Sequence, residues 1–228
     1  MFHRQQKVIA GIALAMVLAG CGGSNVNRSL NLAEGEQHQG NFSTVNGSIR
    51  LRADAAVDGS VRTVNGGVRL DERARAGDVK SVNGGIEIGD QAQTGALETT
   101  NGHLQVGEGA RINGDMETVN GRIRIGNQVS VAGSVSTVNG PIEVGESEIE
   151  GQISNRNGNI DLLGDCRVGG GVHMRSRRES DQREPDVLTI GSGCEVVGEI
   201  VIERPAEVRA HESAVLGTVR GADVQRFE

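Results

Sequence analysis

The stretch STVNGSIRL, residues 43–51, returns as RTVNGGVRL at 62–70, KSVNGGIEI at 80–88, ETTNGHLQV at 98–106, ETVNGRIRI at 117–125 and STVNGPIEV at 136–144. With the asparagines as a ruler, Asn27, Asn46, Asn65, Asn83, Asn101, Asn120, Asn139 and Asn157 recur every 18 or 19 residues. Repetition at one fixed period is the signature of a solenoid, in which each unit buries its apolar face only by stacking on the next. Three and five places after each asparagine the residues are aliphatic, from Leu30/Leu32 and Ile49/Leu51 to Ile160/Leu162. That is a period-two strand with one buried face. Six places before the asparagine stands glycine, from Gly40 to Gly151, and four places before it an apolar residue such as Phe42, Val61, Met116 or Ile153. Each unit therefore reads as two or three short strands joined by glycine turns.

The fold class predicted is all-β: a single-stranded parallel β-helix of about ten coils, each column stacking at about 4.8 Å per coil. Parallel crossovers favour a right-handed helix. In this reading Asn-Gly supplies a left-handed backbone at a sharp corner. The asparagines 46, 65, 83, 101, 120, 139 and 157 form a side-chain ladder that satisfies corner amides. After Asn157 the phrase decays, but Leu188/Ile190 and Val208/Ala210 restore the aliphatic pair, with Pro185 and Pro205 in the asparagine's place. The charged stretch 173–186 reads as an insertion loop, the helix as residues 26–221, and 222–228 as a C-terminal tail. At the other end VNRSLNL, 26–32, is a degenerate first copy. Arg28 replaces its glycine and His38 falls near a core position, as in a polar capping coil.

Composition bounds the chemistry. The chain has 228 residues, 35 of them glycine, and its only aromatics are Phe2, Phe42 and Phe227. The core must be a thin aliphatic layer. A formal charge of −7 lacks the basic footprint that nucleic acid requires. His38, His103, His173 and His211 are too scattered for a metal site, and no catalytic set of serine, histidine and acid emerges. No cofactor is implied. The outward column Arg50, Arg69, Glu87, Gln105, Arg124, Glu143, Asp161 is a mixed-sign solvated face. The residue before each asparagine, mostly Val (Val45, Val64, Val82, Val119, Val138), admits two readings. It forms an exposed stripe fit for an interaction surface, or it points inward while Thr44, Thr63, Thr99, Thr118 and Thr137 point out.

Nine residues after each ruler position the column runs Ala55, Ala74, Ala92, Ala110, Val129, Glu148, Cys166 and, counting from Pro185, Cys194. Two cysteines in one column on successive coils fit the Cα separation of a disulfide. Two reduced thiols packed among small residues are the alternative.

Residues 1–20 differ in kind: His3, Arg4 and Lys7 precede an apolar run, and Leu18-Ala19-Gly20 precedes Cys21. The run is a signal-peptide core, too short to span a bilayer. LAGC resembles the lipobox of bacterial lipoproteins, which implies cleavage before Cys21, lipidation of that thiol and a membrane anchor with residues 21–25 as a short tether. Gly22 after the cysteine, by the same resemblance, points to the outer membrane. The TVNG repeat resembles the adhesin-type β-helix family of bacteria over most of residues 26–221. A second resemblance is to bactofilins, β-helices that polymerise end to end. Neither resemblance implies a catalytic residue. The function expected is a non-enzymatic, lipid-anchored scaffold or adhesive surface of the cell envelope, with an envelope protein or polysaccharide as partner and the oligomeric state open. Bactofilin-like polymerisation is the alternative, and a polysaccharide-active enzyme ranks below it.

Overall fold

The computed structural model describes residues 26–176 and 185–228. Cys21, the expected signal peptide and tether, and residues 177–184 of the expected insertion lie outside the described residues; the ends of that stretch are not loop, since His173 and the buried Met174 close the strand Val172–Met174 and Asp186 opens the strand Asp186–Ile190. The chain winds as a parallel β-solenoid of about ten turns, three strands to a turn. One sheet stacks eleven strands, from Leu30–Leu32 to Val224–Phe227. A second stacks ten, from Phe42–Ser43 to Val219–Arg220. The third runs over seven strands from Gln93–Thr94 to Val215–Leu216, and single bridges at Arg75 link it to the pair Gln37–Gln39 and Ala56–Asp58. At about 4.8 Å per step the eleven-stranded sheet makes a rod of roughly 48 Å.

Register follows the sequence columns. Ile49 pairs with Val68, Val68 with Ile86 and Leu104 with Ile123. From Ile49/Leu51 to Val208/Ala210 both members of each aliphatic pair are buried, as at Leu70, Ile86, Leu104 and Ile142, while in the first pair Leu30 is only partly so. Full burial of each such side chain contributes about 1.5–3 kcal/mol, and because the column repeats, every coil covers its predecessor. The residues 222–228, expected as a tail, instead supply a last strand: Val224 pairs with Val208 and Phe227 with His211. The apolar residues Ala222 and Val224 pack on the core from this coil, which a bare tail would not do.

One reading of the repeat needs correction. None of Gly47, Gly66, Gly84, Gly102 and Gly121 is left-handed; among the Asn-Gly glycines only Gly140 and Gly158 are. What the phrase requires is close approach. A Cβ on Gly66, Gly84, Gly102 or Gly121 would run into the carbonyl oxygen of the glycine one coil earlier. Arg28 holds this position in the first described coil. The left-handed column falls eight residues after the asparagine instead, at Gly35, Asp54, Arg73, Gln91, Gly109 and Gln128.

The Val/Thr ambiguity also resolves. Thr44, Thr63, Thr99, Thr118 and Thr137 are buried, and the residues between them and the asparagines, valine except at Thr100, are half-exposed. Each threonine hydroxyl donates to a carbonyl of the preceding coil: Thr63 to Gly47, Thr99 to Gly84, Thr118 to Gly102, at 2.9–3.0 Å. A hydroxyl can turn inward here because the tight glycine corner presents its carbonyl to the interior, and a buried hydroxyl needs such a partner.

Candidate functional site: a polar groove along the third sheet

The asparagine ladder dominates one corner. Each amide donates to the asparagine one coil earlier, from Asn46 to Asn27 through Asn65, Asn83, Asn101, Asn120 and Asn139 to Asn157, at 2.7–2.9 Å. All bonds point the same way, so the amides polarise one another along the stack. The ladder extends one rung below the expected set, to Asn27. It stops at Asn157, since Pro185 has no side-chain amide to continue it.

Where the ladder stops, an arginine takes over. The Arg204 side chain is 1% exposed and pairs with Asp186 at 2.8 Å. Its guanidinium also donates to the Asn155 carbonyl and side chain, the Gly158 carbonyl and the Arg175 carbonyl at 2.9–3.1 Å. One side chain thus ties coils on both sides of the insertion. At another corner of the same coils Cys166 and Cys194 are joined by a disulfide across 28 residues, Cα–Cα 4.4 Å. The buried column that holds them reads Ala110, Val129, Ser147, Cys166, Cys194, Ala214. Ser147, not Glu148, is its member, because this coil drops its residue before the column rather than after it. Ser147 donates to the Gly126 carbonyl and accepts from the Val129 amide, while Glu148 is exposed.

The outward face of the third sheet is concave. An open groove of about 750 Å³ runs between the sheet's outer column and the left-handed corner column, over the first half of the stack. The outer column contributes Arg75, Gln93 and Arg111, in register on successive coils. The corner contributes Asp54, Arg73, Gln91 and Gln128. Asp54 and Arg73 are paired bidentately at 2.8 Å. The hydrogen bond from Arg73 holds the Asp54 carboxyl below its ordinary value. Glu72 closes on Arg73 from the other side, and the Asp90 carboxylate accepts the Glu108 amide at 2.9 Å. Arg75 and Arg111 form no ion pair among the described residues. A smaller hollow of about 280 Å³ lies between Arg124, Glu143 and Leu163, and the Arg124–Glu143 pair occupies its wall.

The mixed-sign face pairs along the stack, as at Arg69–Glu87 and Arg124–Glu143. The histidines stay apart. His38 packs at a tilt against Phe42 and His211 meets Phe227 edge to face, one pair at each end of the rod. His173 pairs with Glu203 at 3.1 Å. Burial works to raise the Glu203 carboxyl, but the Ser176 amide and His173 hold it below its ordinary value. Among the described residues no three His, Cys, Asp or Glu side chains gather as a metal site.

Arg204 and the groove escaped the sequence reading. Arg204 stands immediately before Pro205, where an arginine reads as a solvated charge, and its partner Asn155 gave only a faint signal by replacing threonine in its column. The groove is invisible to periodicity because it depends on which outward columns face each other. Comparison with protein-family models, with curated proteins and with solved structures finds no match to this chain.

Proposed function

We propose that the chain is a non-enzymatic, lipid-anchored β-solenoid of the bacterial cell envelope, serving as a rigid scaffold that presents an interaction surface. The observation that supports this reading is the uninterrupted stack. Its ladders and inward columns fix every coil against the next, so the outward faces form a stiff display. Cys21 in its LAGC setting supplies the anchor and the outer membrane the location, on the lipoprotein resemblance. The envelope partner is a protein or a polysaccharide. Labelled palmitate should enter the wild-type chain expressed in a bacterium and not Cys21→Ser. Label in the mutant would remove the anchor from the proposal, and turnover of envelope polysaccharide by purified protein would remove the non-enzymatic reading.

End-to-end polymerisation is the second reading, favoured by strands at both ends of each sheet with one neighbour only. Arg226 counts against it. It stands in register with the buried Ala210 and donates to the His211 and Ala214 carbonyls, which places a cation across the last coil. Sedimentation should give a monomer at all concentrations; concentration-dependent filaments would favour the polymer.

A further inference from the structure

The groove on the third sheet has a ligand-sized volume, and its lining is repetitive in a way that selects a ligand. Arg75, Gln93 and Arg111 project from successive coils, one side chain per step of about 4.8 Å. That step is close to the rise of one residue in an extended polysaccharide chain. Guanidinium and primary amide groups are planar and offer paired hydrogen-bond atoms, which match the vicinal hydroxyls of a sugar ring. Gln91 and Gln128 line the opposite wall with the same amide chemistry.

Charge narrows the class further. Arg73, the third guanidinium of the groove, is occupied by Asp54 and Glu72. The carboxylates of Glu72, Asp90 and Glu108 line the same hollow as Arg75 and Arg111, so no field of one sign extends along it. A polyanion would meet a carboxylate on each successive coil, at Asp54, Glu72, Asp90 and Glu108, and a polycation would meet the guanidiniums of Arg75 and Arg111. No aromatic residue lines the groove, so there is no ring-stacking platform, and affinity must come from hydrogen bonds repeated along the chain.

We propose that this groove binds an extended, uncharged polysaccharide lying along the stack axis, with Arg75 and Arg111 as its two principal donors and Gln93 between them. The proposal deepens the interaction-scaffold reading above. Anchoring at Cys21 is tested separately, so loss of sugar binding would leave that result intact.

The test is binding of the purified full chain to an array of linear hexasaccharides, uncharged glucose- and N-acetylglucosamine-based chains beside galacturonate chains. Uncharged hexasaccharides should bind with little salt dependence, and Arg75→Ala/Arg111→Ala should weaken them at least about tenfold, the equivalent of one to two hydrogen bonds. Both arginines are exposed, so the melting temperature should stay unchanged. Arg111→Lys keeps the charge and loses the planar fork; it should weaken binding as well, and it keeps the test open if the double variant melts early. Retention by galacturonate chains alone, affinity unaffected by these variants, or no binding to any chain would each overturn the proposal.

Discussion

Up to Asn157 the coils are fastened by the same devices: the asparagine ladder, the glycine corner and, as far as Thr137, the buried threonine or serine hydroxyl. Beyond it the inward register continues unchanged, with Ile160 on Leu188 and Leu188 on Val208, and close-stacked glycines persist at the turn into the second sheet, at Gly170, Gly198 and Gly217, yet the ladder, the buried hydroxyl and the Asn-Gly corner are gone. A disulfide and a buried ion pair stand in their place. The inward aliphatic column is thus enough to specify the stack, and the corner can be secured in more than one way. The change falls where the chain leaves the regular period. A ladder needs an identical neighbour one coil away, and a coil lengthened to 28 residues offers none at that corner. A long side chain reaching across coils, or a covalent bond at a corner outside the insertion, does not depend on that identity.

The largest effect should come from Arg204. Removing one partner of a buried ion pair costs about 3–5 kcal/mol, and although Asp186 keeps the Gly158 amide, the four further hydrogen bonds of the Arg204 guanidinium go with it. Arg204→Ala leaves Asp186 and the Asn155, Gly158 and Arg175 carbonyls without it. Because a solenoid is coupled mainly to its nearest neighbours, amide exchange in Arg204→Ala should accelerate from Ile160 to the C-terminus well before it does around Leu51 or Leu70. Equal loss of protection at both ends would mean that the two halves are one cooperative unit and the contrast is only chemical.

Within the regular half, Gly121→Val should cost about 3 kcal/mol or more by overpacking, since its Cβ would meet the Gly102 carbonyl. Gly109→Val should cost less, about 1–2 kcal/mol. There the surroundings are open and the strain lies only in the left-handed backbone, φ +66°. A reversed order of melting shifts would show that handedness, not approach, governs the corners. Opening the Cys166–Cys194 bridge, by reduction or as Cys194→Ala, should lower stability by about 2–4 kcal/mol. The same reductant should leave a truncation-free Asn120→Ala variant no more affected than wild type. Asn120→Ala breaks two rungs, to Asn101 and from Asn139, and at about 1 kcal/mol each should cost up to about 2 kcal/mol by denaturant melting.

These differences bear on what the sequence could reveal. Solenoid, strand columns, ladder and cysteine column were all legible because each is a repetition, and repetition survives without coordinates. Ser147 against Glu148 was not, since a one-residue deletion can be absorbed on either side of a column and only packing chooses. Threonine against valine was not, because at a corner the alternation of sides is broken by the bend, and a buried hydroxyl looks unfavourable until its carbonyl partner is known. Arg204 was least legible of all. Burial of an arginine depends on Asp186 and on carbonyls from coils distant in sequence, none of which recur.

In-register stacking has a further consequence, the smallest in energy. It rewards identical amides, which donate and accept, and penalises identical charges, which do neither for each other. Along the outward column of the second sheet Lys80, Glu98 and Glu117 lie on successive coils. Lys80 neutralises Glu98 at 2.6 Å, leaving Glu117 beside a carboxylate with no cation of its own in register. Burial, then Asp115 and Glu98, push the Glu117 carboxyl above its ordinary value. A carboxyl raised by folding binds its proton more tightly in the folded chain, so its contribution is favourable below the unfolded pKa and is lost as pH rises through the folded one. Glu117→Gln removes the charge and keeps an amide able to donate to Glu98. It should stabilise the protein by a few tenths of a kcal/mol at pH 7, the scale of a like-charge cross-strand pair, and that advantage should vanish as pH falls to where the wild-type carboxyl is already protonated. Denaturant melts of the two proteins across this range decide it. An advantage that persists at acid pH would trace the gain to packing, and none at pH 7 would show that solvent screens the stacked carboxylates completely.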